Sequence, residues 1–99
     1  MQVKKVVVGY LQTNCYIVEH ENNSIVIDPG DDPYLIENLI GNSTLLGILI
    51  THSHSDHIGA KDAIAKKYNV PVYDFTNLEE KKYSLGNINF EVIKNPGHT

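Results

Sequence analysis

The chain has 99 residues, 41% of them apolar and 20% charged, with a formal net charge of −4 and a single cysteine, Cys15. One small domain over residues 1–99 is the expectation. An intramolecular disulfide is excluded, and the acidic balance argues against a non-specific nucleic-acid binder.

Along the chain, Gln2 to Val8 reads as a strand. Its run Val6-Val7-Val8 is too short for a membrane span or a signal peptide, so no membrane partner is expected and the cytoplasm is the default location. Asn14 to Glu19 reads as a second strand, and Glu21-Asn22-Asn23 as the turn into a third, Ser24 to Ile27. Asp28-Pro29-Gly30 stops that strand. Asp32 is a suitable N-cap with Pro33 at the first helical position. The helix behind it spaces Leu35, Ile36, Leu39 and Ile40 for burial and ends at Gly41. Leu45 to Ile50 is almost continuously apolar, as a strand buried on both faces requires.

Ile58 to Tyr68 reads as a helix burying Ile58, Ala60, Ala63, Ile64 and Tyr68. Val70 to Tyr73 is a short strand, and Asn77 to Lys82 a helical turn. Tyr83 to Leu85 and Ile88 to Ile93 are expected to pair across Gly86-Asn87, before a closing loop, Asn95 to Thr99. Strands with helices set between them give an α/β chain.

The chemistry concentrates in one place. His52, His54, Asp56 and His57 fall within six residues, directly after the buried strand. Imidazole and carboxylate are donors that zinc, iron and manganese accept. Residues two apart in an extended segment point the same way, so His52 and His54 can converge on one ion. Asp56 and His57, past the bend, can face a second, and paired metals sit roughly 3.5–4 Å apart. Ser53, Ser55 and Gly59 leave room around them. Surface histidines in a polar loop are the bland alternative, but three histidines and an aspartate at this spacing behind an apolar strand make it a poor one. Elsewhere, Cys15 reads as a buried, inert thiol and His20 as a solvated side chain. The six tyrosines form no stacking platform.

Thr51-His52-Ser53-His54-Ser55-Asp56-His57-Ile58-Gly59 resembles the signature of the metallo-β-lactamase superfamily, histidine-x-histidine-x-aspartate-histidine. Pro96-Gly97-His98-Thr99 is similar to the family's next motif, and Ile27-Asp28-Pro29-Gly30 to its early aspartate at a strand end. Gln12-Thr13-Asn14-Cys15-Tyr16 resembles the opening strand of the glyoxalase II-like (hydroxyacylglutathione hydrolase-like) branch. The resemblance implies that His52, His54 and His98 hold a first metal, and that Asp56 and His57 supply half of a second. Zinc is the expected ion, one or two per chain, with iron or manganese as alternatives. Metal would polarise a substrate carbonyl and lower the pKa of a bridging water to about 7. Asp56 is the implied catalytic residue, shuttling a proton to the leaving group. Asp28 is implied to orient a ligand or the loop, although an aspartate that merely forms a turn before proline is an equal reading.

The implied fold is the N-terminal αβ half of an αββα sandwich, a mixed sheet with helices on one face. The family pattern continues with a bridging aspartate and a last histidine, which this sequence lacks, and residue 60 is Ala where many relatives have glycine. The expectation is therefore a half domain, truncated after the third motif. The expected activity is metal-dependent hydrolysis of a small thioester or ester. Alternatives are a lactonase or phosphodiesterase, an iron-dependent persulfide dioxygenase, or a non-catalytic metal-binding fragment. The strands look apolar on both faces and two helices cover one face. A bare sheet face is thus expected, to be covered by a homodimer partner or by a C-terminal half.

Overall fold

The structure is a computed structural model that describes residues 2–9, 13–50, 60–74 and 82–91. Within them the order is β1 (Gln2–Val8), β2 (Thr13–His20), β3 (Asn23–Ile27), α1 (Pro33–Ile40), β4 (Thr44–Ile50), α2 (Lys61–Tyr68), β5 (Val72–Asp74), β6 (Lys82–Leu85) and β7 (Ile88–Glu91). The first five strands form one sheet in chain order, and β6 and β7 form a separate hairpin. β1, β2 and β3 are mutually antiparallel, whereas β3, β4 and β5 run parallel. The mixed sheet is the one expected.

The antiparallel part is fixed by a two-residue turn. Glu21 and Asn22 both take positive φ, 48° and 70°, which matches the twist of the flanking strands. The parallel part needs crossovers, and α1 and α2 supply them. Both helices lie on the same face. Ile36 and Ile40 of α1 and Ile64 of α2 pack with Val8, Cys15, Ile17, Val26, Leu45, Ile48 and Ile50 in one buried cluster. α1 has no basic residue in its last turn. Lys4 reaches over from β1 instead and donates to the Leu39 carbonyl at 3.2 Å, where a cation suits the helix dipole.

Several expectations change. The second sheet face is not bare. The β6–β7 hairpin folds onto it and buries Ile88 with Ile25 and Leu49, flanked by Leu46, Tyr73, Tyr83, Leu85 and Phe90. Sequence distance concealed this docking, since the hairpin pairs with no strand of the sheet. Two glycines make it close: a Cβ on Gly47 would lie 3.4 Å from Leu85 Cδ1, and one on Gly86 would lie 2.8 Å from Leu46 Cδ1. At the hairpin's turn Asn23 donates to Asn87 Oδ1 at 2.8 Å, and Asn87 donates to Glu21 at 3.3 Å. Among the described strand residues, the large apolar side chains that stay exposed are on β1, where Val3 is 58% and Val7 49% exposed.

Second, Asp32 occupies the N-cap position of α1, but its side chain makes no cap bond. Third, some side chains expected inside are outside. Leu35 is 40% exposed and Ala63 is exposed, because a helix lying on one sheet buries a narrow stripe. Lys82, expected in a helical turn, belongs to β6. The rest of that turn, the expected start of the second helix at Ile58 and the end of the last strand lie outside the described residues. No described helix is long and apolar enough to cross a membrane.

If Ile88 anchors the hairpin, truncating it to Ala leaves a cavity between hairpin and sheet and lowers stability by about 2–4 kcal/mol. Ser84→Ala, on the exposed side of β6, changes it by less than about 0.5 kcal/mol. Urea unfolding of the two variants measures both.

Candidate metal centre

Because β1 and β3 are both antiparallel to β2, and β4 and β5 parallel to β3, four strands end at one edge of the sheet. β1 ends there at Val8, β3 passes there into the connection 28–32, β4 stops at Ile50, and β5 stops at Asp74. The carboxyl ends of parallel strands are where open α/β sheets place their ligands. The motif segment 51–59 begins at this edge, on the innermost parallel strand.

The residues predicted as ligands, His52, His54, Asp56, His57 and His98, lie outside the described residues. No group of three or more potential metal donors occurs among the described ones. What the structure gives is the frame from which the motif hangs. The Asp28 N–H donates to the Leu49 carbonyl at 2.9 Å, and the Ala60 N–H donates to the Pro29 carbonyl at 2.9 Å. Leu49 precedes the departure of the motif segment by one residue, and Ala60 ends it. Both ends are therefore tied to two successive residues of one connection. Ala60 and Pro29 are fully buried, so these bonds are shielded from water. Ile50 and Ile64 anchor the adjoining strand and helix in the core. A loop with pinned ends on rigid elements holds ligand positions far better than a free one.

Asp28 is the one predicted site residue that is described. It is 6% exposed and takes a φ of +56°, a left-handed conformation that aspartate tolerates better than most residues. Its carboxylate is thus buried at the edge where the motif leaves. The sequence could flag Asp28 through its neighbours Pro29 and Gly30. It carried no signal for the Pro29–Ala60 bond, since any carbonyl and any N–H can make it.

Cys15 lies fully buried on β2. Burial first, and the nearby Asp28 carboxylate second, push its thiol up to about 12. A metal-ligating or nucleophilic cysteine needs the opposite shift, so the inert reading of Cys15 stands. The raised value makes the folded state lose stability at alkaline pH, and has no effect at neutral pH, where the thiol is protonated in both states. The unfolded thiol ionises above its ordinary value of 9.0 while the folded one keeps its proton. Stability is therefore unaffected below pH 9 and falls as the pH rises from 9 toward 12. Accordingly, a chromogenic disulfide reagent at pH 8 will leave Cys15 untouched in the folded protein and label one thiol in denaturant. Rapid labelling without denaturant would contradict the burial.

Comparison with known proteins fits this frame. Residues 8–97 match the family described as the metallo-beta-lactamase superfamily. A hydroxyacylglutathione hydrolase of Hahella chejuensis is 36% identical over 94 residues, covering 84% of this chain and 37% of that protein. The crystal structure of the BLEG-1 B3 metallo-beta-lactamase superposes with a TM-score of 0.86 at 26% identity, over 99% of this chain and 63% of that one. A further crystal structure, solved in a di-iron-bound form, matches at 39% identity and a TM-score of 0.64, over 71% of this chain and 36% of that one. The chain thus spans little more than a third of the first and last of these, and 63% of the lactamase.

Proposed function

The chain belongs to the metallo-beta-lactamase superfamily, and from that premise we propose that it carries the metal-binding part of a hydrolase acting on a small thioester or ester, of the hydroxyacylglutathione hydrolase kind. The observation that carries the reading is the double tie of the motif segment: Asp28 to Leu49 at its start and Pro29 to Ala60 at its end. Such a frame suits a donor set that has to converge. The donors themselves, three imidazoles and a carboxylate in 52–57 followed by His98, are those a divalent transition ion accepts.

In this reading His52, His54 and His98 hold one ion, and Asp56 and His57 contribute to a second. Zinc is the first expectation, with iron supported by the relative solved in a di-iron-bound form. When bound, such ions polarise the substrate carbonyl and bring the pKa of a water toward about 7. The chain's own residues do the rest. The Asp56 carboxylate takes up a proton and hands it to the departing sulfur or oxygen. Buried Asp28 holds the base of the segment in place. The thioester preference is supported by the hydroxyacylglutathione hydrolase relative, since the fold alone serves many esters. The exposed Val3 and Val7 on β1 mark where a second copy or a further half domain would add cover.

Two outcomes are expected. The purified protein contains a transition metal by elemental analysis, and a strong chelator lowers its melting temperature, because binding couples to folding. His54→Ala abolishes both effects. If no metal co-purifies and added zinc leaves melting unchanged, the metal reading is wrong. As for turnover, the 99-residue chain hydrolyses a lactoyl-glutathione analogue at least about 100-fold more slowly than an intact relative, because it supplies only part of the clamp that two metals provide. A comparable turnover number would contradict this.

A further inference from the structure

The connection 28–32, from which the motif segment hangs, contains two non-glycine residues in the left-handed region, Asp28 at φ +56° and Asp32 at φ +52°. Aspartate tolerates this region, but at a cost. Asp32 forgoes a second advantage too. It stands at the N-cap of α1, where a carboxylate ordinarily bonds the first free helix N–H groups, yet it bonds none of them. Its Oδ2 instead accepts the N–H of Gly9 at 2.9 Å, while its own N–H is held by Asp31 Oδ1 at 2.8 Å. The contact is close. Gly9 has φ +70°, and a Cβ there would lie 3.1 Å from both Cβ and Oδ2 of Asp31. The end of β1 therefore closes directly onto the connection, with no room for a side chain between them.

We propose that Asp32 is a positioning residue for the metal site: its carboxylate braces the 28–32 connection against the end of β1, and so fixes where the motif segment rejoins the sheet. The proposal rests on the reading of His52, His54, Asp56 and His57 as metal ligands. The route is short and covalent on one side. Asp32 lies three residues after Pro29, whose carbonyl receives the Ala60 N–H, and four after Asp28, whose N–H is held by Leu49. Without the brace, the exposed end of the connection loses its side-chain hydrogen bond to the end of β1. Movement there shifts Ala60 relative to Ile50, which spreads the two ends of the segment carrying the ligands. Metal ligands tolerate displacements of only a few tenths of an ångström, so a loosened brace reads out as weaker metal binding.

Three variants test this without relying on catalysis. D32G removes the acceptor, suits the left-handed conformation and remains an acceptable N-cap. D32S, a good N-cap too short to reach Gly9, is the second breaking variant should D32G fold poorly. D32N keeps both the tolerance of positive φ and an oxygen able to accept the Gly9 N–H. Zinc affinity is measured by competition with a chromogenic chelator, and the Gly9 amide by hydrogen exchange in the zinc-free protein. In D32G and D32S the Gly9 amide exchanges about fivefold faster or more, as loss of one hydrogen bond implies. Zinc affinity falls about fivefold or more, with melting of the zinc-free protein shifted by less than about 3 °C. D32N restores both readouts. Wild-type zinc affinity in D32G or D32S, with the Gly9 amide freed, would overturn the proposal, as would a Gly9 amide that stays protected. An unsubstituted protein that binds no zinc would instead bring down the metal reading beneath it.

Discussion

Two backbone hydrogen bonds, Asp28 to Leu49 and Ala60 to Pro29, decide where the motif segment leaves the sheet and where it returns. Neither involves a side chain, and neither is strong by itself; a net value of about 1 kcal/mol each is typical. Their effect comes from where they sit. Both fall on one connection at the carboxyl edge of a parallel pair of strands, and Pro29 and Ala60 are fully buried. A buried backbone group without a partner is costly, so the segment cannot easily detach at one end. The two ends of the donor-bearing segment are thereby fixed at one corner of the sheet.

That corner depends on the sheet being buried on both sides. β4 could not be as apolar as Leu45–Ile50 if either of its faces met water. α1 and α2 cover one side, and the β6–β7 hairpin covers the other with Ile88 at its centre. The hairpin contributes no hydrogen bond to the sheet's ladder. Its hold is hydrophobic contact, with the Tyr83 and Phe90 rings stacked at 5.5 Å between centroids and the Asn23–Asn87 bond beneath the turn. Small residues at Gly47 and Gly86 set how near it can come. The motif's strand is thus clamped between a helical layer and a β layer, and it moves only if both do.

The price of the site is local strain. Asp28 and Asp32, four residues apart, both sit in a region that most side chains avoid. Strained backbone persists where surrounding structure over-determines it. Here the determinants are the Leu49 carbonyl on one side and the Gly9 N–H on the other. Cys15 is a bystander because its own burial, and second the nearby Asp28 carboxylate, disfavour its thiolate.

Much of this was legible in the order of residues, for a physical reason. The apolar run Leu45 to Ile50, the turn at Glu21-Asn22-Asn23, Pro33 and Gly41 around α1, and Gly86-Asn87 in the hairpin are local signals, read from neighbouring residues alone. The clustering of His52, His54, Asp56 and His57 is likewise local, and the family resemblance rests on it. By contrast, the packing of the hairpin on the second sheet face, the exposure of Leu35 and the diversion of Asp32 from its helix to Gly9 each join residues far apart in the chain or depend on which face a neighbour occupies. Composition and spacing along the chain carry no record of such distances. Residue types alone determined which donors are available and at what spacing. The fold decided that Asp28 and Pro29 hold the two ends of their segment, because only tertiary packing brings the end of β3 beside both the end of β4 and the start of α2.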